Sequence, residues 1–440
     1  MRNTLRKNPP TTGGAHNEFS NRTSQSDDAT LAGTSPSPPQ TEQQLEKEVE
    51  ANDDRPKVSR SKTQSDGRRE LTEDDAPEEL GFAFSTWKKW WIITVIFVVQ
   101  VSMNFNASIY GNAVDGMSEE FHISAQAARV GQAVFLVAYA FGCELWAPWS
   151  EEYGRWIVLQ LSLGLVNIWQ LPCALAPNLG SMVVGRFLGG ISSAGGSVTL
   201  GMVADMWEPD EQQYAVGYVV LSSVGGSVVG PIVGAFSQKF LDWRWIFWLQ
   251  LIFGGATQIL HFFTVPETRA TIMLDRAAKK RRKNGDTKWY GPNEIRKRKI
   301  NPKEILKIWI RPFHMFLTEP IVLCLSLLSG FSDALIFTFI EGFTPVYKQW
   351  NFGTIGLGLA FIPILVGYFI AYASFLPVFY HDNAQRKRFG SDVYQPERRL
   401  WWLLFTAPLE FTGLFIFAWT SLGPRYVLSS STSFCSTINT

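Results

Sequence analysis

Ala147-Pro148-Trp149-Ser150-Glu151-Glu152-Tyr153-Gly154-Arg155 is a short charged stretch set between two long apolar runs, residues 127–148 and 156–176. Each run has about the ~20 residues that an α-helix needs to cross a bilayer. So short a connection makes the two helices antiparallel neighbours, and Gly154 can take a backbone conformation that a β-carbon disfavours. Glu151 and Arg155 belong at the membrane surface, because hydrocarbon penalises both charges. The stretch reads as a turn at the edge of a membrane, and it sets the fold class: an all-α, polytopic membrane protein.

Outward from that turn, bulk composition misleads. The chain has 440 residues, 46% of them hydrophobic, a formal net charge of +1 and a mean hydropathy near zero, the profile of an ordinary soluble protein. A charged N-terminal region and a charged centre dilute the apolar runs, so counting spans says more than dividing the length into domains. The net charge points to no acidic partner; what matters is where the charges lie. Cys143, Cys173 and Cys324 fall in or at the ends of apolar runs and Cys435 lies in the final segment, a spacing that suggests neither a disulfide framework nor a metal site. No nucleotide, metal or nucleophile constellation stands out, so the chain reads as no enzyme and calls for no cofactor.

From the start, residues 1–80 are rich in Ser, Thr, Pro, Gln, Glu and Asp and poor in aromatics, which predicts a disordered cytosolic tail without a secretion signal. Residues 81–265 hold six apolar spans. The first, 90–110, follows an aromatic and basic collar of Trp87, Lys88, Lys89, Trp90 and Trp91. The loop after it, through Asp115, Glu119 and Glu120, carries no Lys or Arg before Arg129. The positive-inside rule therefore places the N-terminal side in the cytosol and this loop outside. Residues 266–319 form a basic cytosolic central loop, with Lys279, Lys280, Arg281, Arg282, Lys283 and a second run from Arg296. Such runs suit nucleic acid on composition alone, but in a polytopic chain they fix topology and meet anionic lipid heads. Residues 320–425 add three spans, 320–342, 355–379 and 400–420, with Arg386, Lys387, Arg388, Arg398 and Arg399 keeping the loop after the eighth inside. Residues 426–440 are too polar and too short to span.

Charges and glycines inside the spans are the candidate functional groups. Arg186 lies in the fourth span, 181–204, where a lone arginine implies a partner, a watery cavity or a side chain reaching the interface. The fifth span holds Gly226-Ser227-Val228-Val229-Gly230-Pro231-Ile232-Val233-Gly234. Two overlapping G-x-x-x-G spacings bring Gly226, Gly230 and Gly234 near one helix face, where a neighbouring backbone can approach, and Pro231 frees a carbonyl. Glu144, Asp333 and Glu410 are the carboxylates deepest in their spans. Desolvation there makes each of them a proton carrier, a site facing a cation, or a protonated helix-packing donor.

In the order small-x-x-x-acid-x-x-Gly-Arg, the stretch Ala147, Glu151, Gly154, Arg155 resembles the signature loop between helices 2 and 3 of the major facilitator superfamily. The fuller A-P-W-S-E-E-Y-G-R is similar to its fungal drug:proton antiporter branch. Ala147 stands where the superfamily usually has Gly, and Trp156 where it has a second basic residue. Gly185-Arg186-Phe187-Leu188-Gly189-Gly190 resembles the helix 4 motif of that superfamily, and the Gly226–Gly234 segment its antiporter motif, with Ala235 in place of a final Gly. Asp242-Trp243-Arg244-Trp245 before the sixth span and Pro266-Glu267-Thr268-Arg269 after it again look like the fungal branch. The resemblance covers residues of about 80–425. It implies a major facilitator fold with a six-helix N-terminal half and an incomplete C-terminal half, about nine helices where the superfamily has twelve. It also implies a monomeric, proton-coupled exporter of organic cations such as polyamines or cationic drugs, in the plasma or vacuolar membrane. Arg186, Asp333 and Glu410 would then couple protons, and Glu144, Asp333 and Glu410 would line the substrate cavity. A sugar porter, or a truncated non-transporting membrane protein ending at the polar stretch 429–440, are the other readings.

Overall fold

In the computed structural model, residues 68–208, 211–294, 302–389 and 400–421 are described. Both tails beyond them, the second basic run from Arg296, and Arg398 and Arg399 lie outside the described residues. Seven helices among the described residues are long and apolar enough to cross a membrane, or eight if Trp309–Thr318 and Pro320–Ser332, which meet at a 100° bend, form one. A further helix, Leu400–Thr420, stands where the ninth span is expected.

Three of the N-terminal spans start at a side-chain cap supplied by the residue just before them. Ser85 accepts a hydrogen bond from the Lys88 amide, Ser124 from Ala127 and Asn178 from Ser181, each satisfying one of the amides left over at a helix start. These caps open span 1 (Thr86–Glu120), span 2 (Ala125–Tyr153) and span 4 (Leu179–Ala204). Span 3 is Arg155–Ala174, span 5 Gln212–Phe240 and span 6 Trp245–Thr264. Span 7 lies in helix Pro320–Lys348, and span 8 in Thr354–Arg388.

Span 1 runs further than its apolar stretch predicts. After helix Thr86–Ser108 the chain passes through a 3-10 turn, Ile109–Ala113, into helix Val114–Glu120. Asp115, Glu119 and Glu120 therefore sit on a helix rather than in a loop. Val114 and Met117 are buried on its inner side and hold it to the bundle. Span 4 is interrupted by a 3-10 turn, Ala194–Ser197, where Gly195 lies against Ser162 and Gly196 against Gln100.

Two apolar clusters, one towards each end, form the core of the six-span bundle. Ile92, Ile96, Trp146, Leu159, Met202 and Trp207 meet at the inner (expected cytosolic) end. Phe105, Tyr110, Met117, Met182, Trp243 and Phe247 meet at the outer end. Large apolar side chains such as Val137, Phe141, Ile168, Ile259 and Phe263 point outward and are exposed, the pattern expected where lipid is the solvent. A smaller cluster joins Val228 of span 5 to Phe343 and Phe361 of spans 7 and 8, with Phe417 of the ninth helix packed against it.

Residues 68–80 depart from the expected disordered tail. Strand Arg69–Glu70 pairs in parallel with Trp289–Tyr290, and Leu71, Ala76 and Leu80 are buried against Leu274, Ala277 and Ala278 of helix Ala270–Lys283. Few apolar residues lie in this segment, so composition reads it as tail. It folds because the central loop offers an amphipathic helix that supplies the missing half of a core.

Candidate functional site

The signature turn is the hub of a charge cluster at the inner end of the bundle. Gly154 has φ +105°, left-handed backbone that a side chain resists, and a Cβ there would run into the Glu267 carboxylate. That carboxylate accepts from the amides of Arg155 at 2.9 Å and Trp156 at 3.3 Å, and also from those of Thr268 and Arg269. It thus caps the N-terminus of span 3, where the helix dipole favours negative charge. The Arg155 side chain, buried, donates from Nε to Asp205 Oδ2 at 2.9 Å and from Nη1 to Ser150 Oγ. Gly201, one turn before Asp205, leaves room for the guanidinium that a Cβ would crowd. Arg269 lies 3.5 Å from the other Asp205 oxygen, and the exposed Glu151 stands 4.0 Å from Arg155. Ala147 is exposed. The turn, the end of span 4 and the segment after span 6 are thereby tied into one unit by charge-assisted bonds.

Arg186 is 1% exposed and lies between two aromatic rings, its guanidinium carbon 4.6 Å from the Tyr110 centroid and 4.1 Å from that of Phe135. Its Nη1 donates to Asn106 Oδ1 at 2.9 Å and to the Asn106 carbonyl at 3.2 Å; Gln170 donates to the same Oδ1 at 3.0 Å. Nε and Nη2 are buried with no hydrogen-bond partner, and no carboxylate among the described residues pairs with this charge. The arginine is therefore held inside the bundle and does not reach the interface.

The three candidate carboxylates are not gathered around it. Glu144 is half-buried on span 2 without a hydrogen bond or ion pair among the described residues, and Glu410 is exposed on the ninth helix. Asp333 lies on helix Pro320–Lys348, its side chain outside the described residues.

Gly226, Gly230 and Gly234 all face span 1. Cβ atoms there would meet, in turn, the Val101 carbonyl, Ser108 and Asn112. On the other side of span 5, Gly358 of span 8 sits against Ala235 and the Pro231 carbonyl. Nearby, Arg129 of span 2 and Glu341 of helix Pro320–Lys348 form an ion pair at 3.4 Å over a cavity of about 120 Å³. The N-terminal bundle and the helices after residue 320 thus touch at their outer ends.

Asp205, Glu267 and Asn106 carry weight that their sequence settings do not announce. Glu267 was visible as part of Pro266-Glu267-Thr268, an acid at the mouth of a span. Asp205 is the first charge after the fourth span, a position that does not tell which partner it meets. An asparagine in a helix interior gives no such signal.

These features describe a multi-pass helical membrane protein with a charge-bound inner turn and a buried arginine. Residues 96–439 match the profile of the Major Facilitator Superfamily, and the chain belongs to that family. Over 343 residues it is 30% identical to an uncharacterized transporter of Schizosaccharomyces pombe, covering 76% of this chain and 62% of that one. It is 33% identical over 343 residues to the MFS-type transporter paaT of Penicillium rubens, covering 76% and 61%. The citrinin biosynthesis cluster MFS transporter mrr1 of Monascus ruber is 30% identical, over 80% of this chain and 71% of that one. The chain spans about three fifths of the length of the first two relatives. Among solved structures, a bacterial homologue of the human lysosomal transporter Spinster in an inward-facing state aligns with a TM-score of 0.47 at 15% identity, covering 70% of this chain and 64% of that one.

Proposed function

We propose that this chain works as a proton-coupled exporter of organic cations, polyamines or cationic drugs, by alternating access in the plasma membrane. The observation that carries the reading is Arg186, a buried cation whose charge is met by one asparagine and two ring faces. A charge in that setting makes the conformation that holds it sensitive to any carboxylate or proton brought near. Glu144, Asp333 and Glu410 are the groups proposed to bring them, each binding either a proton or the cation. Rocking of the two halves exposes them to one side and then the other, and protons enter as substrate leaves. The outer-end contacts, Arg129 with Glu341 and Gly358 with span 5, support an inward-facing state as the one described.

A second reading has its own observation. Gln100, Gln170 and Gln250 are buried inside the bundle, and each has an unpaired Oε1, acceptors that suit a hydroxyl-rich neutral solute. Inverted membrane vesicles from cells expressing the chain separate the two. Acid-inside vesicles accumulate labelled spermidine but not labelled xylose if the exporter reading holds. Xylose movement without spermidine movement would replace it with a sugar porter.

A further inference from the structure

Spans 5 and 8 touch at their outer ends and again at the inner end, where Gln213 meets Asn383, and a cleft of about 550 Å³ lies between them. That volume falls within the roughly 300–1,000 Å³ of small-molecule sites. Three properties define what the cleft would hold. First, it is aromatic on one wall, where Tyr372, Phe375 and Phe379 of span 8 face Val220 and Gly217 of span 5. Phe375 and Phe379 stack with centroids 5.8 Å apart, and Gly217 keeps the opposite wall low, since a Cβ there would come within 3.2 Å of the Tyr372 ring. Second, none of its lining residues is charged, so it offers no counter-ion to a polyamine. Third, of the polar side chains in its lining, Gln212, Gln213, Tyr368 and Tyr372, Gln213 is the one with a buried acceptor that has no partner. Gln213, 9% exposed, spends its amide N–H on Asn383 Oδ1 at 2.9 Å and on the Phe379 carbonyl, while its Oε1 is buried with no partner.

An unpaired acceptor buried beside an apolar cavity is costly unless something donates to it. A slot between ring faces favours flat, polarisable ligands. From these observations we infer that the cleft between spans 5 and 8 binds a planar aromatic compound, neutral or singly charged, that donates an N–H or O–H to Gln213. The site is distinct from Arg186 and from the candidate carboxylates, none of which lines it. Its role rests on the transport reading, as the place where an aromatic substrate waits on the inner side, but its occupancy does not.

The test uses the full 440-residue chain in nanodiscs, with no gradient imposed, and two fluorescent probes: 2-aminoanthracene and its N,N-dimethyl analogue. These share the ring system and differ in the donor. The parent protein should bind the first roughly tenfold more tightly than the second, the size of one well-made hydrogen bond. Gln213→Leu should erase that preference while leaving the analogue's affinity within about twofold. Val220→Trp, at a half-exposed position that tolerates bulk, should fill the cleft and remove saturable binding of both. Equal affinity of the parent for the two probes, or full binding by Val220→Trp, overturns the inference. A chain that binds the probes as expected yet moves no spermidine keeps the cleft and loses the transport reading, so the two failures stay distinguishable.

Discussion

Arg186 combines the two properties that a coupling group needs, a permanent charge and an incomplete set of partners. Its Nη1 donates to Asn106 while the two faces of its plane lie against Tyr110 and Phe135, a flat, two-sided contact that the compact ammonium of a lysine does not match. Arg186→Lys should therefore reach the membrane in normal amounts and lose at least about tenfold of the pH-driven cation exchange, read as initial rates in vesicles. Unchanged exchange would remove this residue from the mechanism. Arg155 has a different task. It is paired with a buried Asp205, and Arg155→Ala leaves that carboxylate with only Arg269 at 3.5 Å. The loss should be on the order of 3 kcal/mol, seen as a lower melting temperature in detergent. Both arginines could be read from the sequence, one as a lone charge in an apolar span and the other from its turn. Their partners could not, because Asn106 and Asp205 are fixed by how the spans cross and not by any local pattern.

The helices pack as tightly as their glycines allow. Gly230 faces Ser108 and the Ile109 amide, so Gly230→Leu drives a side chain into the backbone of span 1. Overpacking of this kind costs about 1–3 kcal/mol, and the variant should melt earlier or fail to accumulate, whereas Gly255→Leu, with open space beside it, should be tolerated. The glycine spacing announced a close helix contact, but only the structure says that span 1 is the neighbour. The strap at residues 68–80 was misread for the same physical reason that it folds: its few apolar side chains complete a core begun by helix Ala270–Lys283, some 200 residues away. Acid should loosen it. Hydrogen bonds from Arg282 hold the Glu294 carboxyl below its ordinary value of 4.5, and the Thr72 hydroxyl does the same for Asp75 below 3.8. A carboxyl with a lowered pKa contributes stability above its ordinary value and loses it as pH falls through the folded one. Hydrogen exchange at the Arg69 and Leu71 amides, which bond to Lys288 and Tyr290 carbonyls, should therefore speed up below about pH 4, relative to a correction for intrinsic rates. Flat protection down to about pH 2 would mean that the ion pairs do not hold the strap.

Alternating access requires contacts that break when the halves rock, and the outer end supplies them. Arg129 and Glu341 are each nearly half exposed, so their pair contributes little by itself and is easily reversed. Arg129→Glu should favour opening to the outside and raise the labelling rate of a cysteine placed at Asn112 by about twofold to fivefold, and adding Glu341→Arg should restore the parent rate. The spans and the inner turn were legible because hydropathy and charge act locally. Which end is closed was not, since that depends on pairs such as Gly358 with Ala235 that lie far apart in the chain. The central claim is exchange of protons for an organic cation, and the most direct check is the lumenal pH of liposomes that contain the purified chain and a trapped pH indicator. Spermidine added outside acid-loaded liposomes should raise the lumenal pH at a rate that saturates with spermidine and vanishes in Arg186→Lys. A lumenal pH that ignores spermidine, in liposomes where the labelled cation nonetheless enters, would contradict proton coupling.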